Sequence, residues 1–207
     1  MAISYEQGTA VGIRAKDGIV LATDKRMSYG SFIMSRNAKK VYLFNNKAGI
    51  ALTGLYADVS GLIRIMNAEI SYYETTNEVS MSLYAISKLF SNILYSYKML
   101  PFLIEALIGG IDKDGKPKLY TLDTLGSITE DKYMAVGSGG TTALGVLEST
   151  YNESLSVEES EKIAINALKT TMERDSSSGD GIDLLIIKTD GKPVEKSYKL
   201  KVVEETQ

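Results

Sequence analysis

The 207-residue chain balances 23 Lys and Arg against 26 Asp and Glu, a net charge of −3, and contains neither cysteine nor histidine. That excludes disulfides, a thiolate nucleophile, a Ser-His-Asp triad and Cys- or His-ligated metal, so no cofactor is expected and any hydrolytic base must be an amine, a lysine or a carboxylate. The charge is interspersed, without the basic stripe that nucleic acid would require.

Residues 1–8 include Glu6 and lack both a basic start and an apolar core, so they do not read as a signal peptide. The stretch from Gln7-Gly8-Thr9 onward leads into a strand predicted at Val11 to Ala15. A turn at Lys16-Asp17-Gly18 follows, then a second strand from Ile19 to Thr23, apolar enough for burial on both faces. Asp24, Lys25 and Arg26 end that run. Phe32-Ile33-Met34 is a short apolar patch. Val41 to Phe44 and Ala48 to Thr53 form a hairpin around Asn45-Asn46-Lys47.

The period then changes. Val59, Leu62, Ile63, Met66, Ile70 and Tyr73 predict a helix over Ala57 to Thr75, with Asp58 as its N-cap. Leu83, Ile86, Phe90, Ile93, Leu94 and Tyr97 predict another over Ser80 to Lys98, stopped by Pro101. Strands return at Phe102 to Ile111, Lys118 to Leu122 and Lys132 to Val136. The apolar run from Met99 to Ile111 is too short for a membrane span and holds Glu105, so no membrane contact is expected and the chain reads as soluble and cytoplasmic.

Gly137-Ser138-Gly139-Gly140 opens a helix. It lacks a P-loop ending and the dinucleotide spacing, so it reads as a tight turn rather than a phosphate cradle. Ser156-Val157-Glu158-Glu159 has the form of a capping box and starts a helix to about Arg174. Ser176 to Gly181 is a polar loop. Ile182 to Lys188 and Val194 to Val203 close the chain as strands. Strands, two helices, strands, two helices and strands, in one domain, predict an α+β chain folded as a four-layer αββα sandwich.

A Gly-Thr pair near a chain start suggests a terminal nucleophile. Cutting between Gly8 and Thr9 would free an α-amine beside the Thr9 hydroxyl, with a pKa near ~8 and able to serve as base. Asp24 and Lys40, each ordinary alone, sharpen that proposal: an ammonium beside a hydroxyl eases loss of its proton, and a carboxylate partners the ammonium.

Val11-Gly12-Ile13, Asp17 through Arg26, Lys39-Lys40-Val41, Met99-Leu100-Pro101-Phe102, Gly109 through Asp112, Gly137-Ser138-Gly139, Gly145 through Glu148 and Arg174 through Gly179 occur in that order. Together they resemble the β subunit of the archaeal 20S proteasome over nearly the whole chain. The α subunits of that family carry an extra helix before a similar Gly-Thr region, and only seven residues precede Gly8, which points to the β type.

The resemblance implies the N-terminal nucleophile hydrolase fold and a heptameric β ring between α rings. Its partners would be α subunits, other β subunits including a second, active type, protein substrates, and an unfolding ATPase acting through the α ring. Asp24 and Lys40 match the family's residues beside the nucleophile. Ser138, Asp175 and Ser178 match those that orient the terminal amine and its water. Gly54 matches the oxyanion glycine and Leu52 a wall of the first specificity pocket.

One feature departs from the family pattern. Active subunits place a threonine sixteen positions before the aspartate, and here that position is Gly8, with Thr9 one step late. A one-residue slip in a strand turns a side chain to the opposite face, so Thr9 is expected to point away from Lys40. Tyr56 stands where active relatives carry a small residue and could fill the first specificity pocket.

Two readings follow: a structural, non-catalytic subunit that keeps residues 1–8 as a propeptide-like segment ahead of a domain over 9–207, or a threonine endopeptidase cut before Thr9. The second is favoured by the glycine itself, which eases attack on its own carbonyl. A free-standing hydrolase or ligand-binding domain of the same fold is a third.

Overall fold

The computed structural model describes residues 8–200; the remainder of the propeptide-like segment, residues 1–7, and the predicted strand end at Val203 lie outside them. Two five-stranded antiparallel sheets carry the fold. The first has β1 (Thr9–Ala15), β2 (Gly18–Asp24), β10 (Tyr133–Gly137), β11 (Gly181–Lys188) and β12 (Val194–Lys199), in the order β10-β1-β2-β11-β12. The second, in the order β5-β6-β7-β8-β9, has β5 (Val41–Asn45), β6 (Ala48–Gly54), β7 (Ile104–Ile111), β8 (Pro117–Leu122) and β9 (Ile128–Asp131). β3 (Met27–Tyr29) and β4 (Phe32–Ser35) form a separate hairpin.

Three apolar layers hold the sheets and helices together. Helices α1 (Tyr56–Asn77) and α2 (Leu83–Ser96) lie on the second sheet, burying Val59, Leu62, Met66, Ile86 and Phe90 against Ile50, Leu52, Ala106 and Ile108. Helices α3 (Gly140–Thr150) and α4 (Val157–Met172) lie on the first, burying Ala143, Leu147, Ala164 and Leu168 against Val11, Ile13, Val20 and Leu184. Ala10, Ile19, Leu21, Leu107, Leu119 and Leu185 fill the space between the sheets. This is the four-layer αββα sandwich, and β2 and β11, apolar on both faces, are its middle.

Local signals fix the ends. The Ser156 hydroxyl accepts from Glu159 N–H while the Glu159 carboxylate accepts from Ser156 N–H, so the capping box at the start of α4 is present. Asp17, in the β1–β2 turn, accepts from Val157 N–H at 2.9 Å and joins that turn to the same helix start.

Several boundaries differ from the sequence expectation. Asp58 does not cap α1: the N-cap is Leu55, and the Asp58 carboxylate instead accepts from Leu103 N–H at 2.9 Å, tying the helix to the segment before β7. The second helix ends at Ser96, before Pro101 is reached, and β7 starts at Ile104 rather than Phe102. β3 and β9 escaped the pattern because three- and four-residue strands with exposed faces carry almost no alternation.

Candidate active site

The register of β1 organises the site. Along this strand Val11, Ile13 and Ala15 face α3 and α4, and Ala10 faces the second sheet. A Cβ built on Gly12 would meet Leu119 and Leu107, on the sheet-to-sheet side. Alternation therefore sends position 9 to the helix side and position 8 to the side facing the second sheet.

The side-chain contacts agree. A Cβ at Gly8 would stand 2.3 Å from Lys40 Nζ and 2.7 Å from Asp24 Oδ1. Gly8 also holds φ +85°, which L side chains avoid. Thr9, fully buried, lies on the other face, with its Oγ1 2.7 Å from Ser178 Oγ.

Lys40 and Asp24 form a buried ion pair, Nζ to Oδ1 at 2.5 Å, with side chains 3% and 0% exposed. The carboxylate is fully used. Its Oδ1 also accepts from Thr9 N–H at 2.9 Å, and its Oδ2 accepts from Arg26 N–H at 2.8 Å and Gly179 N–H at 3.1 Å. Four donors on one carboxylate compensate its removal from water. Lys40 gives a further hydrogen bond to the Arg26 carbonyl. Its position just before β5, on the second sheet, is what aims it across the gap at position 8.

On the helix side a second network assembles. Asp175 Oδ2 accepts from Ser138 Oγ at 2.7 Å and from Ser178 Oγ at 2.6 Å. Since Ser178 gives its proton to Asp175, its remaining lone pair accepts the Thr9 hydroxyl. The Ser138 hydroxyl also lies 3.3 Å from the Gly8 carbonyl oxygen. Gly139 makes room here: a Cβ on it would fall 2.3 Å from Thr9 Oγ1 and 2.0 Å from Thr171 Cγ2.

Thr9, Asp24, Lys40, Ser138, Asp175 and Ser178 thus converge at one end of the sandwich. Gly54 is the last residue of β6, beside Thr53, whose side chain packs at Gly137. Leu52 has no exposed surface; it lies in the core under α1 and α2 and so offers a pocket no open wall. Tyr56 opens α1, half-buried, next to Tyr42. Burial, and then the Tyr56 phenol, push the Tyr42 phenol well above its ordinary value, and Tyr42 Oη donates to the Lys39 carbonyl at 2.5 Å.

Two participants went unassigned in the sequence. The Arg26 guanidinium lies against Gly179 and bonds Asp180 and the Ser176 carbonyl, clamping the loop that carries Asp175 and Ser178. The Glu105 carboxylate reaches Gly137 N–H from the opposite sheet. The sequence signal for both was a charge bordering or interrupting an apolar run. Two open concavities of the molecule lie elsewhere: about 630 Å³ beside the β5–β6 turn and the α1–α2 connection, and about 280 Å³ at the edge between β5 and β12.

Residues 5–187 match the proteasome subunit family. The chain is 49% identical to "Proteasome subunit beta 1" of Hyperthermus butylicus over 189 residues, 90% of this chain and 93% of the relative. It is 46% identical to the protein of that name from Desulfurococcus amylolyticus, over 89% of this chain and 91% of the relative. The corresponding protein of Ignicoccus hospitalis is 45% identical, over 93% and 96%.

Proposed function

We propose, from the premise that this chain belongs to the proteasome subunit family and is a β subunit of the 20S core particle, that it builds the β ring without hydrolysing peptides itself. β subunits of this family assemble with α and other β subunits. In this reading a second β type in the same ring supplies the threonine nucleophile, protein substrates reach the chamber through the α ring, an unfolding ATPase feeds that ring, and the particle works in the cytoplasm. No described helix is long and apolar enough to cross a membrane.

One observation carries the reading: the space beside Lys40 and Asp24 belongs to Gly8, which has no side chain, while the Thr9 hydroxyl is turned to Ser178. A hydroxyl on the far face of the strand cannot share a proton with Lys40. Freeing the Thr9 amine would not cure this. That nitrogen is 2.9 Å from Asp24 Oδ1, and a carboxylate beside a freed amine favours its protonated form over the neutral base. Asp24, Lys40 and Ser178, which are buried, and Ser138 and Asp175, which are half-buried, then serve as struts.

A second reading, cleavage between Gly8 and Thr9, is supported by a different observation. The Thr9 hydroxyl has an outlet for its proton through Ser178 to Asp175, and Ser138 Oγ lies beside the Gly8 carbonyl. The intact mass of the chain, taken from particles co-assembled with α subunits, separates the two. Retention of the Gly8–Thr9 bond supports the structural role; loss of residues 1–8 rejects it.

A further inference from the structure

We infer that Glu105 is a positioning residue of this site, holding the Ser138 turn from the opposite sheet. Glu105 is in β7, whose alternate residues Ile104, Ala106 and Ile108 face α1 and α2, while Leu107 faces the first sheet. Alternation turns Glu105 to the same side as Leu107, directly across from Thr53 in the β6–β7 pairing. There its Oε2 accepts the Gly137 N–H at 2.7 Å.

Gly137 is the last residue of β10 and precedes Ser138. It pairs with Thr9 in the β1–β10 register, at φ +93°. Its Cα is hemmed in: a Cβ there would lie 2.1 Å from the Gly8 carbonyl oxygen and 3.0 Å from the Thr53 side chain. The Gly137 N–H belongs to the Val136–Gly137 peptide, the last plane before the chain turns at Gly137 towards Ser138, and the Glu105 carboxylate fixes that plane by a charge-assisted bond. With the packing of Thr53 at Gly137, the bond ties the second sheet to the turn that carries Ser138, so it transmits the spacing of the two sheets to the Ser138–Asp175 contact.

This inference stands whether or not the chain is catalytic, because it concerns geometry and not turnover. Amide hydrogen exchange of the full-length chain tests it, comparing wild type with Glu105→Leu and Glu105→Gln. Loss of a bond to a charged acceptor should speed exchange at Gly137 and Ser138 by about tenfold or more in Glu105→Leu, with partial rescue in Glu105→Gln, whose carbonyl still accepts. Amides of β7 itself, such as Leu107, should keep wild-type rates. Unchanged protection at Gly137 in either variant overturns the inference, as does equal loosening of β7 and the turn. Should Glu105→Leu fail to fold, Glu105→Gln decides alone, through an upfield move of the Gly137 amide proton if the carboxylate bond is real and none if it is not.

Discussion

Thr9 Oγ1 meets Ser178 Oγ at 2.7 Å, on the face of β1 turned away from Lys40. The contact is buried, and it makes Thr9 a strut between the first strand and the loop after α4. Thr9→Val should therefore destabilise the chain by about 1–3 kcal/mol, since Ser178 loses a buried donor, and Thr9→Ser should cost less. Urea midpoints at constant slope measure both. A Thr9→Val chain as stable as wild type would show that the hydroxyl carries no load.

The Asp24–Lys40 pair is buried at 2.5 Å and tied to four backbone groups. Removing one partner leaves the other charged and uncompensated. Asp24→Asn or Lys40→Met alone should each cost roughly 3–5 kcal/mol, and the double variant less than their sum. A purely additive double-mutant cycle would contradict the pairing.

In the proposed structural role, it is Gly8, standing beside Lys40 and Asp24 without a side chain, that withholds the nucleophile. In a chain shortened to begin at position 8, Gly8→Thr puts a hydroxyl beside Lys40. With nothing preceding position 8 the left-handed φ imposes no strain there, and it is the flexible lysine end that must shift to admit the new Cβ. Such a chain should react with electrophiles that trap N-terminal threonine. A chain shortened to begin at Thr9 should not, and equal labelling of both would show that register is not what separates them.

Tyr42 predicts an alkaline transition. Its phenol is raised above the ordinary value by burial and then by Tyr56. A group raised in the folded state contributes stability that is complete below the unfolded value, near ~10, and fades as pH climbs towards the folded one. Stability should therefore fall above about pH 10, and Tyr42→Phe should flatten that fall. Denaturation midpoints across the alkaline range report it; an identical slope in the variant would assign the loss elsewhere.

The layered fold was legible because its long elements carry clean periods: the helical stripe from Val59 to Ile70, the doubly apolar run from Ile19 to Thr23, and the capping box at Ser156. The expected direction of Thr9 came from the same arithmetic, since alternation along Val11-Gly12-Ile13 leaves only one face for position 9. What stayed hidden depends on distant partners. Asp58 looked like a cap, yet it bonds Leu103, forty-five residues on. Glu105 looked like an interruption in an apolar strand, and only the packing of two sheets brings it to Gly137. Leu52, matched to a pocket wall by resemblance alone, lies in the core under α1 and α2, a burial that depends on helices distant in the chain.

The most direct test is to assemble the chain with α subunits and an active β partner, expose the particles to an electrophile that captures N-terminal threonine, and weigh each subunit. This chain should show no adduct and an intact Gly8–Thr9 bond while the partner gains the label. An adduct on Thr9, with residues 1–8 gone, would contradict the account and make this subunit a peptidase in its own right.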